Sequence, residues 1–72
     1  MFYVYLLQST KDQGYYIGKT KDLRRRLSDH NSGQSISTKK RIPYRLGYYE
    51  DFIDKIDAGK REVYLKSGYG RR

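Results

Sequence analysis

Apolar and polar positions are spaced in distinct ways along this chain, and each spacing predicts an element. Phe2 to Gln8 (FYVYLLQ) places Tyr3, Tyr5 and Leu7 on one face and Phe2, Val4 and Leu6 on the other, which predicts a strand buried on both sides. Ser9 to Gly14 (STKDQG) is polar and ends in glycine, and Tyr15 to Gly18 is a second short apolar run, so the two runs read as a hairpin. Thr20 and Asp22 are N-terminal caps for a helix reaching about His30, closed by Asn31, Ser32 and Gly33. Gln34 to Ile42 (QSISTKKRI) has no usable period, and Pro43 discourages helix before it, so a mobile surface loop is expected. Tyr44 to Phe52 fits a third strand. Asp54, with Asp57 three residues later, begins a second helix that runs to about Lys66, and Ser67 to Arg72 reads as a frayed basic tail. The order is β-β-α-β-α, an α+β class, in a single domain over residues 1–72 with no repeat or linker.

Both helices break the rule that the inward stripe is aliphatic. At about 100° per residue, Leu23, Arg26, Leu27 and His30 share one face of the first helix, while Arg24 and Arg25 point elsewhere. A cationic pair directed at a sheet calls for an anionic partner, most economically a bound phosphate. The bland reading has Arg26 snorkelling to solvent and His30 favouring the helix C-terminus. On the second helix, Ala58, Glu62 and Leu65 form one stripe, with Ile56 and Val63 nearly opposite. Glu62 is also spaced to pair with Lys66 at i,i+4, and Gly59 is placed to let another backbone approach.

Charge sharpens this picture. Sixteen Lys and Arg against eight Asp and Glu give a net charge of +8. Nine of the basic residues fall between Lys19 and Arg45, where the acids are Asp22 and Asp29 alone. Such a surface attracts phosphate backbones by steering and counterion release. The chain has no cysteine, which excludes disulfides and thiolate zinc sites and makes a cytoplasmic protein the expectation. No apolar run approaches the roughly 20 residues that span a bilayer, so no membrane partner is expected. MFYVYLL lacks the features of a signal peptide, and Met1 is read as the start of the domain. There is no Walker A loop, no HExxH and no GxGxxG, which makes P-loop hydrolysis and zinc proteolysis improbable. Nine tyrosines bring hydroxyls that need partners.

Tyr3-Val4-Tyr5 followed by Tyr16-Ile17-Gly18, with Tyr16 eleven positions after Tyr5, resembles the paired motif of the GIY-YIG superfamily. Lys19 to Gly33 (KTKDLRRRLSDHNSG), Pro43 to Glu50 (PYRLGYYE), Lys60-Arg61-Glu62 and Leu65-Lys66-Ser67 are similar to its small bacterial stand-alone members. The same superfamily supplies the nuclease domains of an excinuclease and of homing endonucleases. The glycine of the first triplet is absent here.

The resemblance implies a three-stranded antiparallel sheet flanked by helices and a metal-dependent endonuclease acting on DNA, of the kind used in repair or recombination. By that resemblance Tyr5 is the general base toward water and Tyr16 its partner. Arg26 stabilises the phosphate, His30 is a site histidine, and Glu62 holds one Mg²⁺ or Mn²⁺. Lys19, Arg25, Lys39, Lys40 and Arg41 are the candidate phosphate ligands. A tyrosine of pKa about 10 is a poor base at pH 7 without nearby cations or metal-bound water. A single carboxylate completed by waters and substrate oxygens is an ordinary way to hold Mg²⁺. The chain ends at Arg72 without a recognition domain, so structure-dependent or nonspecific cutting of duplex or branched DNA is expected, with RNA less favoured and a protein partner as one source of specificity. The alternative is a DNA- or RNA-binding module that does not cut.

Overall fold

The computed structural model describes residues 1–36 and 38–67. Three strands, β1 (Phe2–Ser9), β2 (Tyr15–Thr20) and β3 (Tyr44–Phe52), form an antiparallel sheet in the order β2-β1-β3. The helices are α1 (Leu23–Asn31) and α2 (Lys55–Lys66), and a single 3₁₀ turn spans Lys39–Arg41. The expected order and class hold; the basic tail after Ser67 lies outside the described residues.

The two-sided apolar character of β1 puts it at the centre and splits the core into two layers. Val4 packs with Ile17 and Ala58, flanked by Phe2, Leu6, Phe52 and Leu65, and this is the layer beneath α2. Tyr5, Leu7 and Tyr44 pack with Tyr16, Leu23, Leu27, Ile42 and Leu46 beneath α1. Each fully buried Val or Leu contributes about 1.5–3 kcal/mol, so a chain this small needs both layers. Between β1 and β3 the register shifts at Leu6/Leu7: Leu6 pairs with Tyr48 and Leu7 with Leu46, which leaves Gly47 unpaired as a bulge.

Side-chain hydrogen bonds fix the joints. Asp22 caps α1 by accepting from the Arg25 amide at 3.1 Å, and Asp54 caps α2 by accepting from the Ile56 amide at 2.7 Å. Gly33, with φ +83, turns the chain out of α1 in the left-handed region that glycine tolerates. Asn31, the last residue of α1, brackets Tyr44: its Nδ2 donates to the Tyr44 carbonyl at 3.0 Å and its Oδ1 accepts from the Tyr44 amide at 2.6 Å. That clamp sets the C-terminal turn of α1 against the first residue of β3.

The segment from Gln34 to Ile42 is more structured than its missing period suggested. It contains the 3₁₀ turn, and Thr38 just before it is fully buried. Ser9, also fully buried, donates to the Arg41 carbonyl at 2.6 Å and so ties this segment to the β1–β2 hairpin. Gly59 corrects another expectation, because its close neighbour is a side chain: a Cβ there would lie 3.6 Å from Lys19 Nζ.

Candidate active site

The Tyr5 side chain leaves central β1 and leans over edge strand β2 at Gly18, its register partner. A Cβ on Gly18 would sit 2.4 Å from Tyr5 Oη, so the phenol occupies the space that any larger residue there would fill. Tyr5 is 1% exposed. Its Oη lies 3.0 Å from His30 Nε2 and accepts from Arg26 Nε at 3.4 Å. The α1 stripe delivers both partners: His30, in the last turn of the helix, is fully buried, and Arg26 is half-buried with its Nε turned to the phenol. The Tyr16 ring stands edge-on to His30 at 4.8 Å and 6.4 Å from the Tyr5 ring. Behind His30, Nδ1 is 2.8 Å from Thr38 Oγ1.

Charge and burial act together on these groups. Burial pushes the Tyr5 phenol above its ordinary value of 10, with the Arg26 hydrogen bond pulling the other way and the charges of Tyr16 and Glu62 adding to the rise. Burial, reinforced by the Arg26 charge, holds His30 below 6.5, and the hydrogen bond to Tyr5 keeps Arg26 firmly protonated. At neutral pH the pair is therefore a neutral phenol beside a neutral imidazole, with a guanidinium on the phenol oxygen.

Glu62 lies on the other layer yet belongs to the same neighbourhood. Its side chain is 20% exposed, pairs with Lys66 at 3.1 Å in the i,i+4 manner, and places its charge near enough to act on Tyr5. Lys19, opposite Val4 on β2, reaches Gly59, one helical turn from Glu62, so its ammonium lies on the same side of α2. The candidate set thus straddles edge strand β2, with Tyr5, Arg26 and His30 on one face and Lys19 and Glu62 on the other. Among the described residues no group of three His, Cys, Asp or Glu side chains is placed to hold a metal. The donor set fits a hard divalent ion in one form only: Glu62 as the sole protein carboxylate, with waters and substrate oxygens completing the shell.

Of the other candidate phosphate ligands, Arg25, Lys39 and Lys40 are exposed. Arg41 is committed elsewhere: its guanidinium forks onto Asp12, Nε to Oδ2 at 2.8 Å and Nη2 to Oδ1 at 3.2 Å, and holds that carboxyl down to about 2. Sequence reasoning missed Thr38, which sits in a short polar segment with no local pattern to mark it. It also missed why position 18 must be glycine, which depends on cross-strand register.

A buried phenol–imidazole pair with a guanidinium on the phenol is thus set at the edge of a small α+β sheet. The chain matches the GIY-YIG catalytic domain family over residues 1–72 and belongs to that family, a nuclease family. It is 45% identical over 65 residues to a UPF0213 protein of Streptococcus pneumoniae serotype 4 (strain TIGR4), covering 89% of this chain and 65% of that protein. It is 42% identical over 67 residues to a UPF0213 protein of Clostridium perfringens (strain 13 / Type A), covering 92% and 71%. The chain thus spans about two thirds of the length of the pneumococcal relative. The solution NMR structure of UPF0213 protein BH0048 from Bacillus halodurans superposes with a TM-score of 0.58 at 36% identity, covering 99% of this chain and 79% of that one. Among the described residues no helix is long and apolar enough to cross a membrane.

Proposed function

We propose that this chain is a metal-dependent endonuclease that hydrolyses DNA phosphodiester bonds, with structure-dependent or nonspecific choice of target. The observation that carries the reading is the meeting of Arg26 and His30 on one buried phenol oxygen, Tyr5 Oη. Among the described residues Nε is the one guanidinium nitrogen of Arg26 that is hydrogen bonded, which leaves the Nη groups for nonbridging phosphate oxygens. Tyr5 Oη takes a proton from the attacking water while its own proton passes to His30 Nε2, so no free phenolate need accumulate. The water oxygen bonds to phosphorus, the P–O bond to the leaving oxygen breaks, that oxygen takes a proton from solvent water, and Arg26 offsets the charge that builds on the phosphoryl oxygens. His30 ends the step as an imidazolium, which Thr38 Oγ1 can accept from at Nδ1. Glu62 would hold a divalent ion that, when bound, supplies further positive charge at the phosphate.

One observation favours a second reading, a DNA-binding module that does not cut: Glu62 is already paired with Lys66, whose ammonium competes with a metal for the carboxylate. Incubation with branched, nicked and linear DNA in Mg²⁺, Mn²⁺ or EDTA separates the two. Cleavage that EDTA stops, and that Glu62→Ala and Arg26→Ala lose, supports the nuclease. Tight binding without cleavage in any metal supports the module.

A further inference from the structure

The segment after α1 contributes to the site a residue that the phosphate chemistry never touches. Thr38 is fully buried, and its Oγ1 is 2.8 Å from His30 Nδ1 and 3.5 Å from the Ser35 carbonyl oxygen. Donors and acceptors can be matched along this chain in one direction. The Tyr5 hydroxyl proton has His30 Nε2 as its acceptor, because the other neighbour of Oη is Arg26, a donor. Nε2 must then be unprotonated, Nδ1 carries the hydrogen and gives it to Thr38 Oγ1, and the Thr38 proton goes to the Ser35 carbonyl. The reverse tautomer points Nε2–H and Arg26 Nε–H at the same phenol oxygen and leaves the Tyr5 proton without an acceptor among the described residues. A buried donor in that state is strongly disfavoured.

We infer that Thr38 is a positioning residue of this site: by accepting from Nδ1–H it adds to Tyr5 and Arg26 in favouring the His30 tautomer whose Nε2 lone pair stands ready to receive the Tyr5 proton. The consequence for rate rests on the nuclease reading; the tautomer does not. Thr38 also opens the turn that carries the exposed Lys39 and Lys40, so two candidate phosphate ligands and the group orienting the proton acceptor belong to one segment.

The test is ¹⁵N NMR of the His30 imidazole at neutral pH in the wild type, Thr38→Val and Thr38→Ser. The wild type and Thr38→Ser should show a protonated Nδ1 and a bare Nε2, and Thr38→Val should shift toward Nε2–H. Cleavage by Thr38→Val should fall on the order of 100-fold with DNA affinity unchanged, and Thr38→Ser should restore it. A wild type in the Nε2–H form, or a Thr38→Val tautomer identical to the wild type, overturns the inference. If Thr38→Val does not fold, the wild-type and Thr38→Ser spectra still decide. The expected tautomers in a protein that cleaves no DNA support the inference while removing the nuclease reading.

Discussion

At Tyr5 a side chain from the central strand can lie across the sheet edge only because position 18 has no Cβ. Gly18→Ala should therefore force the buried phenol off His30 and Arg26. The expected outcome is a loss of about 1–3 kcal/mol in thermal unfolding, from overpacking, with cleavage reduced further than stability accounts for. His30 gives a pH signature. Its folded value is depressed below 6.5 by burial and by Arg26, so the unfolded chain binds a proton where the native one does not. Its contribution is complete above about 6.5 and is lost as pH falls through the window between 6.5 and the folded value. The melting temperature of wild type should drop more steeply than that of His30→Gln between pH 7.5 and 5.

At the scale of elements, α1 carries two groups of the candidate site because its inward stripe alternates two leucines, which seat it, with Arg26 and His30, which reach Tyr5. That stripe was readable from the spacing of four residues. So were β1, from its two apolar faces, and the Glu62–Lys66 pair, from its i,i+4 separation. Thr38 and the commitment of Arg41 to Asp12 were not, since both depend on contacts across about 30 positions or on a turn with no repeating pattern. The Asn31 clamp escaped for the same reason: asparagine at a helix end reads as a stop signal, whereas here both ends of its amide hold the Tyr44 backbone. Asn31→Ala leaves those backbone groups to be satisfied otherwise and should cost about 1–3 kcal/mol in denaturant unfolding. Because the clamp sits one residue from His30, the His30 ring resonances should shift as well.

At the scale of the molecule, most of the net charge of +8 lies between Lys19 and Arg45, and the structure divides that stretch by its availability to a polyanion. Lys39 and Lys40 are exposed, while Arg41 staples the hairpin to the turn. Replacing Lys39 and Lys40 with alanine should weaken binding to all DNA sequences alike and reduce the slope of log K against log salt by about 2, whereas Arg41→Ala should act mainly on stability. In the proposed mechanism Tyr5, with His30 and Arg26 on its oxygen, removes the proton from the attacking water. Single-turnover cleavage of branched DNA in Mg²⁺ by wild type and Tyr5→Phe, both confirmed folded, tests it most directly. Wild type should cleave, and Tyr5→Phe should lose about 10²–10⁴-fold with DNA binding retained; cleavage by Tyr5→Phe at the wild-type rate would show that the phenol is not the base.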